Sequence, residues 1–273
     1  MTATDRKQYD NVATSYTSVE DLPCARVEAE LIRTALGDCT GLTVLDLGGG
    51  SGLHARRAID AGAAAVDVVD ISREMLRVGR DIETRRGRRG RIRWLEGDAS
   101  RPLRIDRVTV REEDDGPQRP LPGDSGGGGY DVVMVNWLFD HATSPEDLRA
   151  MWENVVANLK PGGRFLGVRV RSIGAEYMKD GKYGATFRDV EEIPGGLRYV
   201  CGCLTQPPFE FGCTSMRSTF TLADDIPREL GLVDFEVIPP EETEVVKSDP
   251  EFWADFVKDP NLAVVVARKP SAG

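Results

Sequence analysis

Histidine is nearly absent from this chain, with two in 273 residues, and cysteine is sparse, with five. Five cysteines in a chain of this length make no disulfide framework. Cys201, Cys203 and Cys213 are spaced C-x-C-x9-C, but no histidine lies near them, so free thiols and no bound metal are expected. Long apolar runs are lacking as well. No stretch reaches the roughly eighteen residues that a spanning helix needs, so no membrane segment is expected. The start, MTATDRKQYD, carries neither an apolar signal core nor a cleavage pattern, and the expectation is a soluble, cytoplasmic protein. Positive charge is in deficit, with 35 Lys and Arg against 45 Asp and Glu and a net charge of -10. Nucleic acid or an anionic membrane would demand a broad basic face, so the expected partner is a small molecule, with no nucleic acid and no membrane. The arginine-dense RRGRRGRIR, residues 85–93, lacks interleaved aromatics and reads as a solvated loop.

What is present is an alternation. From about residue 25 to 170, short aliphatic runs alternate with helical spacing, which predicts a parallel sheet covered on both faces. A first helix is read from Val27, Leu31, Ile32 and Leu36, and a first strand from Leu42 to Leu47. A short helix from Gly52 to about Ala61 precedes a strand Ala65 to Val69 that ends at Asp70. Ser72 is the expected N-cap of a helix whose core face holds Met75, Gly79 and Ile82. Strands follow at Ile92–Leu95 and in YDVVMVNWL, 130–138. Ser144, Pro145 and Asp147 open a helix carrying Leu148, Met151, Val155 and Leu159, which Lys160-Pro161-Gly162-Gly163 is expected to stop before RFLGVRV forms strand five. Residues 104–129, charged and then Pro- and Gly-rich, read as a surface insertion. Residues 171–220, without helical period, lie where a cap over the strand ends would be inserted, and 221–273 would complete the sheet.

The stretch VLDLGGGSG, 44–52, places glycines where the first strand ends. A dinucleotide fingerprint can be traced through Gly50, Gly52 and Ala55. Asp46 speaks against it. An acid at the strand end repels a pyrophosphate, but it suits an ammonium group or the orientation of the loop. The pattern Asp46-x-Gly48-x-Gly50-x-Gly52 therefore favours a ligand with an amino-acid end and close backbone approach.

On these residues the chain resembles the class I S-adenosylmethionine-dependent methyltransferases, over roughly residues 9–170. Asp46, Gly48, Gly50 and Gly52 match the first motif of that family, and Asp70 with Ile71 matches the acid that takes the ribose hydroxyls. Asp98 and Ala99 in EGDAS match the adenine end, Asn136 and Trp137 the motif after strand four, and LKPGGRF the turn into strand five. The resemblance implies S-adenosyl-L-methionine as cofactor, with Tyr16 and Met75 completing its binding set. It also implies a Rossmann-like, seven-stranded, mostly parallel sheet with helices on both faces and a cap inserted after strand five. The stretches NWLFDHATSPEDLRAMW, KYGATF and DPEFWADFVKDPNLAVVVARKP resemble small-molecule methyltransferases of the toxoflavin-synthase type, which methylate ring nitrogens in secondary metabolism.

The resemblance implies methyl transfer to nitrogen or oxygen of a small aromatic or heterocyclic acceptor. A NAD-type oxidoreductase or a non-methylating use of the same fold is the alternative. Tyr9 and Tyr16 are expected in an N-terminal arm over the cofactor, where an aromatic face attracts a sulfonium. His141, with Asp140, is the candidate proton acceptor, and His54 is expected to be structural. Tyr9, Trp137, Phe139, Tyr183 and Phe187 are the candidate acceptor-binding residues.

Overall fold

The computed structural model describes residues 3–88, 90–103, 105 and 129–272, so nearly all of the expected insertion at 104–129 lies outside the described residues. Helix α1 (Ala3–Tyr16) and helix α2 (Pro23–Leu36) precede strand β1 (Thr43–Leu47). There follow α3 (Leu53–Asp60), β2 (Ala65–Asp70), α4 (Arg73–Arg85), β3 (Ile92–Glu96), β4 (Tyr130–Val135), α5 (Pro145–Asn158) and β5 (Leu159–Val170). The chain then builds three strands, β6 (Ala185–Ile193), β7 (Gly196–Cys203) and β8 (Phe209–Met216), before returning with β9 (Val233–Val237) and β10 (Leu262–Arg268).

Seven strands form one sheet in the order β3-β2-β1-β4-β5-β10-β9. The first five pair in parallel, while β10 runs antiparallel to both β5 and β9. This is the seven-stranded, mostly parallel Rossmann-like sheet expected. Aliphatic strands form here because both faces are covered: Val44, Val66, Val68 and Val132 enter the core beneath α2 and α3, and Leu45, Leu47, Val69 and Val133 enter the core beneath α5. Ser72 caps α4 by accepting from Met75 N at 3.2 Å, and Ser144 caps α5 by accepting from Asp147 N at 3.2 Å.

Lys160–Gly163 departs from expectation. Strand β5 already starts at Leu159, opposite Tyr130, and the register jumps so that Val132 faces Arg164. The Pro-Gly-Gly run is thus a bulge within the strand, not a turn ahead of it.

Asp67, in the middle of β2 and wholly buried, accepts from Arg93 Nε of β3 at 3.1 Å and from the Tyr130 hydroxyl of β4 at 2.5 Å. Strand order reverses between β1 and β4, and in such sheets the ligand crevice opens beyond the carboxyl ends at that point. Strands β6, β7 and β8 form a separate antiparallel sheet between β5 and the returning strands. Among the described residues, no helix is long and apolar enough to cross a membrane.

Candidate functional site

The loop after β1 runs through three left-handed glycines, Gly48, Gly50 and Gly52, with φ of 69°, 54° and 78°. Other residues are strained at such angles. Gly49 lies directly on Asp46: a Cβ there would stand 2.7 Å from the Asp46 carboxyl. Asp46 is fully buried behind the loop. Burial, reinforced by Asp70, pushes its carboxyl up to about 7. Gly52 caps α3 where a Cβ would come within 2.5 Å of the Trp94 ring. Asp46 and Gly52 therefore shape the loop from behind and do not line the cavity in front of it.

That cavity, of about 750 Å3, collects Tyr16, Gly48, Gly50, Asp70, Ile71, Met75, Asn136 and Trp137 from the expected cofactor set, together with Tyr9 and His141. Asp70, at the end of β2, accepts from Gly50 N through Oδ2 and from Ser72 N through Oδ1, each at 2.8 Å. Burial pushes this carboxyl up to about 6, against the pull of those two amides. Asn136 Oδ1 accepts from Val168 N at 3.3 Å, and its buried side-chain amide pulls the Asp46 carboxyl downward against burial.

Asp98 and Ala99 are placed otherwise than expected. Asp98 Oδ1 accepts from Ser100 N and Oγ at 2.9 and 2.7 Å, the Ala99 carbonyl takes Asn154 Nδ2 at 2.8 Å, and neither residue lines the cavity.

Trp137 follows β4 in a left-handed conformation, φ 63°, which is strained for an indole-bearing residue. Its Nε1 donates to Glu28 Oε2 at 2.9 Å, which ties the ring to α2. The same turn brings His141 to the cavity, where Nε2 lies 2.7 Å from the Tyr9 hydroxyl. Burial raises the Tyr9 and Tyr16 phenols well above their ordinary value, so both remain protonated.

A second cavity, of about 660 Å3, adjoins the first and shares Tyr16, Val19, Glu28, Trp137 and His141 with it. Phe187, Tyr199 and Phe211 of the three-stranded sheet form its far wall, with four of the five cysteines, Cys24, Cys201, Cys203 and Cys213. All five cysteines are free thiols. Among the described residues no group of histidine, cysteine and carboxylate side chains is placed to hold a metal. Helix α1 spans the junction: Gln8 exchanges hydrogen bonds with the Gly212 backbone at 3.0 and 3.1 Å, and Asp10 accepts from Ser72 Oγ at 2.6 Å.

Three of the expected catalytic and acceptor-binding residues are corrected as well. Asp140 was expected to assist His141, but Oδ1 accepts from Ser215 Oγ at 2.7 Å and Oδ2 from Val170 N at 3.3 Å, so its carboxylate is committed to β8 and β5. Burial pushes it up to about 7. Phe139 lies on the other side of the sheet, stacked 4.4 Å from Trp152, because the reversed backbone at Trp137 sends the next turn toward α5. Tyr183 stacks 4.7 Å from Trp253 and donates to the Phe252 carbonyl at 2.7 Å, within the main hydrophobic core, and it lines neither cavity. Phe187 lines the second cavity as expected. Phe211, an aromatic the sequence also offered for the acceptor pocket, lines it too, while Glu28 and Tyr199 complete the walls and were not singled out from the sequence.

The first cavity fits S-adenosyl-L-methionine. A carboxylate at the tip of β2 matches ribose hydroxyls, and the glycine loop allows close backbone approach. Residues 44–163 match the family model described as a methyltransferase domain. The methyltransferase CcbJ from Streptomyces caelestis shares 18% identity with this chain, covers 98% of each chain and superposes with a TM-score of 0.61. An S-adenosylmethionine-dependent methyltransferase from Mesorhizobium loti, at 18% identity, covers 87% of this chain and 95% of its own, with a TM-score of 0.54. The [4+2]-cyclase SpnF, at 15% identity, covers 98% of this chain and 96% of its own, with a TM-score of 0.58. No curated protein sequence matches the chain. The fold is that of the class I methyltransferases, and the methyltransferase-domain match spans residues 44–163. S-adenosyl-L-methionine is the expected cofactor of that fold.

Proposed function

We propose that this protein transfers a methyl group to a nitrogen or oxygen of a small aromatic or heterocyclic metabolite, with residues 171–220 acting as the substrate cap. The observation that carries this reading is the pair of adjoining cavities, one built on the glycine loop and Asp70, the other on apolar and aromatic cap side chains, joined at Trp137 and His141. S-adenosyl-L-methionine supplies an electrophilic methyl on sulfur. Asp70 would hold the ribose, Asn136 and the loop amides the amino-acid end, and Tyr9 and Tyr16 would keep water from the methyl. His141 Nε2 would accept a proton where the acceptor carries one. Orientation in such a site supplies roughly 7 to 11 kcal/mol without a strong base.

A concave chamber walled by apolar and aromatic side chains, with no lysine or arginine among the described residues that line it, supports a small acceptor over nucleic acid. Free thiols support a reducing, cytoplasmic setting, and a role in secondary metabolism follows the toxoflavin-synthase resemblance. The likeness to SpnF favours a second reading, a non-methylating cyclisation on the same fold.

Incubation with methyl-labelled cofactor and a host metabolite extract, read by mass spectrometry, decides between them. Methyl transfer yields a labelled product with stoichiometric S-adenosylhomocysteine, whereas a cyclase consumes no cofactor. Thermal stabilisation by NADH and not by S-adenosylhomocysteine would overturn both.

A further inference from the structure

Glu28 sits on α2, 8% exposed, in the wall common to both cavities. Its Oε2 accepts from Trp137 Nε1 at 2.9 Å, and its Oε1 lies 3.1 Å from His54 Nε2. Arg57 Nη1 is 2.9 Å from His54 Nδ1. A guanidinium only donates, so Nδ1 accepts and the ring proton is on Nε2, aimed at Glu28. Burial holds His54 below its ordinary value, which keeps this ring neutral. The same burial pushes the Glu28 carboxyl upward, but hydrogen bonding to His54, the Arg57 charge and the Trp137 donor outweigh it and leave the carboxyl below its usual range. Glu28 is therefore ionised, and its charge is not cancelled at contact. Both of its direct donors are neutral, and Arg57 acts through a full imidazole.

The chamber beyond Glu28 has nothing to oppose that charge. Among the described residues that line it there is no lysine or arginine. Burial pushes the Cys24 thiol up to about 12, and contact with Cys203 together with burial raises Cys201 well above its ordinary value, so these two thiols are neutral, and the other ionisable groups in the lining include His141 and the buried Asp140 carboxyl, which Ser215 and the Val170 amide hold. The aromatic faces of Trp137, Phe187 and Phe211 attract cations.

We propose that Glu28 selects the acceptor by holding the positive charge that appears on it with the methyl group, so that the acceptor is a neutral aromatic amine or ring nitrogen and not a phenolate or carboxylate oxygen. The proposal rests on the methyl-transfer reading above. The nitrogen lone pair forms the N–CH3 bond as the S–CH3 bond breaks, the electron pair of the broken bond stays on sulfur, and the positive charge passes from sulfur to nitrogen. An oxygen acceptor that enters as an anion meets Glu28 as a like charge.

Two probes of equal shape isolate this charge: N-methylquinolinium, which mimics a methylated ring nitrogen, and 1-methylnaphthalene. Each is titrated into the full-length protein with S-adenosylhomocysteine present. Wild type is expected to bind the cation at least about tenfold more tightly, and Glu28→Gln to shrink that preference severalfold, with Glu28→Asp restoring part of it. Both probes are titrated at saturating S-adenosylhomocysteine, so a change in its own affinity in either variant does not enter the ratio. Equal binding of the two probes by wild type, or binding of neither, overturns the proposal, as does a preference that survives in Glu28→Gln. Should that variant fail to fold, the wild-type ratio still decides. Calorimetric binding of S-adenosylhomocysteine to wild type tests the parent reading separately, because it does not depend on the probe ratio.

Discussion

The Tyr9 hydroxyl meets His141 Nε2 at 2.7 Å, which closes the first helix onto the turn after β4. Ring centroids 5.3 Å apart and planes at 75° place the two edge to face. Among the described residues, the only nitrogen base common to both cavities is thus held by a phenol that burial keeps protonated.

His141→Ala is expected to lower kcat by about 10²- to 10⁴-fold if the acceptor must lose a proton in the transfer, with S-adenosylhomocysteine affinity preserved. Tyr9→Phe keeps the imidazole and loses only its partner, so its loss in kcat is expected to be smaller. Steady-state kinetics beside calorimetry separate the two. Full turnover in His141→Ala would return this histidine to a packing role.

Asp70 offers the cavity two carboxylate oxygens, each already holding one backbone amide at 2.8 Å. Asp70→Ala is expected to weaken cofactor binding by about 2 to 5 kcal/mol, the range of one or two charge-assisted hydrogen bonds. Unchanged calorimetric affinity would remove the ribose assignment.

Phe139 and Phe187 are both acceptor-binding candidates from the sequence, and the structure sets them to behave oppositely. Phe139→Ala opens a hole in a core cluster against Trp152 and Phe165 and is expected to cost about 3 to 5 kcal/mol of stability, while the folded fraction retains its KM. Phe187→Ala is expected to raise the KM for the acceptor with a smaller change in stability. Denaturant unfolding and kinetics on the same preparations check both.

Asp140 titrates at about 7 in the folded chain, against an ordinary aspartate near 3.9. The folded state then holds the proton more tightly than the unfolded one, so the stabilisation is complete below about pH 4 and is lost as pH rises toward 7. Asp140→Asn does not titrate. The stability of wild type relative to this variant is therefore expected to fall between about pH 4 and 7, with a slope of at most about 1.4 kcal/mol per unit. Asp46, raised by the same burial, is present in both proteins and cancels. A difference that is flat with pH would contradict the buried environment of Asp140.

The sheet was readable because its signals are local. Aliphatic runs between helical spacings, the Ser72 and Ser144 caps and the left-handed glycines each act within a few residues, and each appears where expected. The site was readable only where it lies at strand tips. Glu28 gave no signal: on α2 it is one polar residue beside an apolar stripe, and its partners His54 and Trp137 are brought to it by the tertiary fold. Phe139 misled for a related reason. Its proximity in sequence to Asn136 suggested a shared wall, but the left-handed step at Trp137 separates them across the sheet. The cysteines, unremarkable as a spacing, converge because β7 and β8 pair with Cys213 opposite Tyr199 and Cys201 opposite Phe211.

Asp67 is gripped by Arg93 on one flank and by Tyr130 on the other, so β2 has no freedom to slide along its neighbours. Asp70 stands three positions further along the same strand. How far the outermost carboxylate projects past the rim is accordingly gauged by an anchor sunk in the interior. Loosening that clasp would detune the nucleoside pocket without altering any atom that faces it.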